Sequence, residues 1–72
     1  MTAGQQWRSL TVYQQKVLVR LGAPPRKGHY YASYYPPIRK LIGLSLITGD
    51  GAGIYRLTQA GLDVLAAGTP SQ

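Results

Sequence analysis

The chain has 72 residues, with eight lysines and arginines against two aspartates, for a formal net charge of +6. That length makes one domain with one modest core. With no cysteine, no glutamate and a single histidine, the chain lacks the parts for a disulfide or a thiolate metal site and has few groups from which to build a convergent acid–base–nucleophile set.

No enzyme, cofactor, metal or small-molecule substrate is therefore expected, and His29 reads as a surface or boundary residue. No run approaches the ~18 apolar residues of a membrane span, so no membrane partner is expected and a cytoplasmic location is. The charge is uneven. Residues 1–40 carry seven basic side chains and no acid, whereas residues 41–72 carry Arg56 against Asp50 and Asp63. Such asymmetry suggests one face for a polyanion or an acidic partner.

Residues 1–8 read as a flexible N-terminal arm with one large apolar side chain, Trp7, and residues 9–68 as the folded domain. From Ser9, "SLTVYQQKVLVRLG" places Leu10, Tyr13, Val17, Leu18 and Leu21 at helical steps. Ser9 or Thr11 can cap that helix, and Gly22 followed by "APP" ends it. Residues 22–35 hold two prolines and a glycine; a short helix and an extended piece both remain open for Tyr30 to Tyr35. Pro36 and Pro37 then suit the first turn of a helix through "IRKLIG", with Ile38, Leu41 and Ile42 on one side and Arg39 and Lys40 on the other. "SLIT", "GDGAG" and "IYRLT" read as strand, turn and strand. The glycine-rich tip resembles a phosphate loop only in spelling, since such a loop joins a strand to a helix. "TQAGLDVLAAG" predicts a last helix capped by Thr58, and residues 69–72 a flexible tail.

The run "IRKLIGLSLITGDGAGIYRLTQAGLDVL" resembles the second half of winged-helix (winged helix-turn-helix) DNA-binding domains. The matching residues are Leu41, Leu46, Ile47, Tyr55, Leu57, Thr58 and Gly61, over about residues 38–65. The resemblance implies a small α+β domain of three helices with a two-stranded hairpin wing. The departure lies in residues 22–35, where two prolines and a glycine make the second helix of that motif short, distorted or replaced. A winged helix would make this a transcription regulator on double-stranded DNA. The candidate contacts are then Arg26, Lys27, Tyr34, Arg39, Lys40 and Arg56, with an anion held at the start of the helix after Pro37. Tyr34, Tyr35, Pro36 and Pro37 are poor base readers, so phosphate contacts would carry the affinity.

Four of the six tyrosines lie in "YYASYYPPIRK". Three readings stand: a core in which Tyr31 and Tyr35 turn inward, a stacking platform for single-stranded bases, and a protein interface. In size and character the chain is similar to small phage-encoded proteins that bind host RNA polymerase. That likeness implies a bacterial or phage-infected cell, with Trp7, Arg8, Tyr30 and Tyr31 meeting the partner protein.

Overall fold

Residues 2–68 are described by a computed structural model, and they begin with a helix where a loose arm was expected. Helix α1 (Ala3–Ser9) is closed at its start by a capping box. The Gln5 amide N–H donates to Thr2 Oγ1 at 3.1 Å, and the Thr2 N–H donates to Gln5 Oε1 at 2.8 Å. Two otherwise orphaned donors are thereby satisfied. The same Thr-x-x-Gln spelling recurs at Thr11 and Gln14, with matching bonds of 3.2 and 3.0 Å, and starts α2 (Val12–Gly22). Helix α1 packs on the last helix rather than trailing into solvent.

Past α2 the Pro24–Pro25 peptide is cis, and Arg26 takes a left-handed conformation, φ +61°. The undecided stretch then resolves into a two-residue strand, β1 (His29–Tyr30), and a turn in which the Tyr35 N–H donates to the Ala32 carbonyl at 3.0 Å. Helix α3 (Pro36–Gly43) follows, with the prolines at its first two positions. Its end is a Schellman motif: the Leu46 N–H reaches the Leu41 carbonyl (3.0 Å) and the Ser45 N–H the Ile42 carbonyl (2.9 Å). Ser45 occupies the left-handed position usually given to glycine, at φ +61°. Ser45→Gly should stabilise the fold by about 1 kcal/mol, after offsetting glycine's greater unfolded-chain freedom. Thermal melting should register this as a rise of ~4–8 °C.

Strands β2 (Ile47–Gly49) and β3 (Ile54–Leu57) form the expected hairpin, with Ile47 opposite Leu57 and Gly49 opposite Tyr55. The hairpin is not alone. Strand β1 adds to the free edge of β3, His29 opposite Tyr55, giving an antiparallel order β1-β3-β2. A third strand supplies support that an isolated two-stranded ribbon lacks. Helix α4 (Gln59–Gly68) begins at Thr58, whose Oγ1 accepts from the Gly61 N–H at 3.0 Å and donates to the Ser45 carbonyl at 2.7 Å. The described architecture is thus α+β, with four helices and three strands rather than three and two.

Leu18, Leu21, Ile38, Leu41 and Leu46 are fully buried, surrounded by Leu10, Val17, Ile47, Tyr55 and Val64. Two residues expected inside are not: Tyr13 is 65% exposed and Ile42 45%. Both flank their helix's buried stripe without a neighbouring element to cover them. Among the described residues no helix is long and apolar enough to cross a membrane.

Candidate nucleic-acid interface

Helix α3 buries Pro37, Ile38 and Leu41. Helical spacing then turns Pro36, Arg39, Lys40 and Gly43 outward, and all four are exposed. An added Cβ at Gly43 would meet nothing within 4 Å. The outward stripe is therefore two cations set between two small, nonpolar positions.

The expected anion site at the start of this helix does not form. Pro36 and Pro37 have no N–H to give. The next two amides, of Ile38 and Arg39, both donate to the Tyr35 carbonyl, at 3.0 and 3.3 Å. No helical donor is left for a phosphate, so any anion here must be held by side chains. Arg39 and Lys40 occupy the fourth and fifth helical positions, and Lys40 lies in the last turn. There the macrodipole favours a cation instead of opposing it.

The remaining basic candidates belong to another part of the molecule. Arg56 alternates with the buried Tyr55 along β3, so it projects from the outer face of the sheet. Its Nε donates to the Lys27 carbonyl at 3.2 Å, which brings Lys27 and Arg56 together. Arg26 turns back, its Nε donating to the Gly22 carbonyl at 3.3 Å. All three side chains are exposed. Asp50, the one acidic side chain at the hairpin tip, helps to hold the turn. Its carboxylate accepts from the Ala52 N–H (2.8 Å) and the Ile54 N–H (3.2 Å). These bonds, chiefly that from Ala52, hold its pKa below the usual carboxylate range despite some desolvation.

The tyrosines divide by position. Tyr31 and Tyr35 lie against the core and stack on each other, ring centroids 5.9 Å apart and planes 4° from parallel. The Arg20 guanidinium lies 6.0 Å from the Tyr31 ring centroid, at the outer limit of a cation–π contact. Burial pushes the Tyr31 phenol up, with Arg20 partly offsetting it. Tyr34 is the most exposed ring, at 80%, in the turn before α3. Tyr30 is also exposed, yet one side of its ring lies over Gly53, where an added Cβ would come within 2.6 Å.

Trp7, expected as a free anchor, packs across Gly68 of α4 and against the core margin. Its carbonyl also accepts from the Leu10 N–H (3.1 Å) and Gln15 Nε2 (2.9 Å). Arg8 stays exposed in the last turn of α1, a favourable place for a cation. Sequence reasoning missed one feature altogether. A groove of about 550 Å³ runs between α2 and α3, bounded by Thr11, Tyr13, Gln14, Tyr35, Pro36, Pro37 and Lys40. No sequence signal marks it, since Tyr13 falls at a helical step like the buried residues of α2. Among the described residues no group of three His, Cys, Asp or Glu side chains is placed to hold a metal ion.

Comparison with known proteins finds no matching family model, no matching curated protein and no matching solved structure.

Proposed function

We propose that this chain is a small winged-helix-like transcription regulator that grips double-stranded DNA chiefly by its phosphates. The observation carrying this reading is the outward stripe of α3, where Arg39 and Lys40 stand exposed side by side. Supporting it is the element order: α3, then the β2–β3 hairpin as wing, then a helix capped by Thr58 and opened by Gly61. In this reading the turn at Ala32–Tyr35 replaces the helix that normally precedes the reading helix. Lys27, Arg26 and Arg56 supply further phosphate contacts beside the sheet. The stripe offers Arg39 as its one strong base reader, so sequence preference is weak. The function involves no catalytic step and no cofactor.

Titration of a labelled 20-base-pair duplex at several salt concentrations tests this. Neutralising about five phosphates gives a log–log slope near −4.5 and a few hundredfold weakening between 50 and 200 mM salt. Arg39→Ala should flatten the slope by about one. Affinity that ignores salt, or no duplex binding at 50 mM, overturns the assignment. The alternative of a protein that binds RNA polymerase retains its exposed Tyr30 and Arg8. Its proposed anchor, Trp7, is already spent on α4.

A further inference from the structure

The groove between α2 and α3 shares Pro36 and Lys40 with the stripe proposed for DNA, but Tyr13 and Tyr35 give it a character that the stripe lacks. One bank is Thr11, Tyr13 and Gln14 at the entry of α2. Beyond it, Lys16 and Arg20 follow Tyr13 at steps of three and four residues on the same helix face, and both are exposed. The other bank is Tyr35, Pro36 and Lys40 of the α3 entry. Neither aspartate lines it: Asp50 is held in the hairpin turn and Asp63 accepts from Gln59 on α4. The lining is mainly aromatic and prolyl, and the one charged side chain in it, Lys40, is positive.

We propose that this groove is a docking site for an acidic peptide segment that carries a large apolar side chain. The apolar side chain would seat between Tyr13 and Pro36, while flanking carboxylates meet Lys40 on one bank and Lys16 beyond the other. A cleft of about 550 Å³ falls in the range that encloses a few side chains. Charge argues against a second copy of this chain, because each copy brings the same cations and a net charge of +6. Aromatic geometry argues against single-stranded nucleic acid. Base stacking requires successive open ring faces, whereas Tyr31 and Tyr35 cover one another and Arg20 approaches Tyr31. Of the two rings that line the groove, only Tyr13 is open, at 65% exposure.

The test uses the full chain and three probes: a fluorescein-labelled decapeptide of aspartate and glutamate around Leu-Trp, the same peptide with both apolar residues replaced by serine, and the oligonucleotide dT10. Anisotropy and amide chemical shifts are read together. The Leu-Trp peptide should bind, with shifts centred on Thr11, Tyr13, Tyr35 and Lys40, and the serine peptide should bind at least tenfold more weakly. Tyr13→Ala should weaken the Leu-Trp peptide about tenfold, as expected for a central aromatic anchor, and Pro36→Ala by a smaller factor. Arg39→Ala should leave it within about twofold, the range of a rim charge. Circular dichroism confirms that each variant is folded. Tyr13→Ala should keep the duplex affinity of the parent, so the groove and the DNA assignment can fail separately. Equal binding of both peptides, shifts spread over the whole basic surface, preference for dT10 at the same residues, or no peptide binding at 1 mM would each overturn the proposal.

Discussion

Gly61→Ala is expected to lower stability by about 3 kcal/mol, at the upper end of the cost of overpacking. Helix propensity taken alone gives the opposite sign, since alanine is favoured over glycine within a helix by about 1 kcal/mol. The conflict is decided by what lies beneath. An added Cβ at Gly61 would run into the Leu46 carbonyl oxygen, with the Leu46 carbonyl carbon 3.1 Å away. That obstacle is backbone, and the Leu46 carbonyl is already fixed by accepting from the Thr58 N–H at 3.1 Å. It cannot swing aside as a side chain would. Domains of this size hold only ~4–11 kcal/mol in total, so the variant should melt ~12–24 °C lower. Urea titration followed by far-ultraviolet circular dichroism checks this. A midpoint at or above that of the parent would mean that Gly61 of α4 does not lie against the Leu46 carbonyl as described.

Trp7→Ala is the second large effect, at about 2–3 kcal/mol, below the 3–5 of a fully enclosed aromatic because Trp7 is only half-buried. The indole covers Gly68 and ties the first helix to the last. Its removal should loosen both chain ends together, and amide exchange in α1 and α4 should rise in the same variant. Were Trp7 a free anchor for another protein, its loss would leave the denaturation midpoint where it was. The experiment therefore separates a tryptophan that holds the fold from one held in reserve for a partner.

Much of the chain could be read in advance because its punctuation is local. Gly22 and the prolines end α2, Pro36 and Pro37 begin α3, and Thr58 caps α4, each within a turn of the element it governs. What escaped was of two kinds. Strand β1 is two residues long and exists only because His29 and Tyr30 find Tyr55 and Ile54. Alternation cannot show in so short a piece. Helix α1 was legible in principle, since Thr2 and Gln5 spell the same box as Thr11 and Gln14. It went unread because its apolar surface is little more than Ala3 and Trp7, too little for a periodic stripe.

The candidate site followed the same division. That Arg39 and Lys40 face outward was visible from Ile38 and Leu41 facing in. The supposed anion pocket failed for a reason also written in the sequence, since two successive prolines remove the amides such a pocket needs. The groove beside Tyr13 was hidden, because a tyrosine at a helical step looks the same whether or not a neighbour arrives to cover it.

Thr58 gives the hairpin one more property. Its N–H and hydroxyl fasten it to the carbonyls of Leu46 and Ser45, so the segment between departs from and returns to a single clamped point. Ile47 and Tyr55 pin the root of that excursion in the interior, and Tyr30 and Tyr31 hold it as far as Gly53. Only Gly51 and Ala52 project beyond those ties, so evolution or an engineer can recharge the chain there without renegotiating the interior.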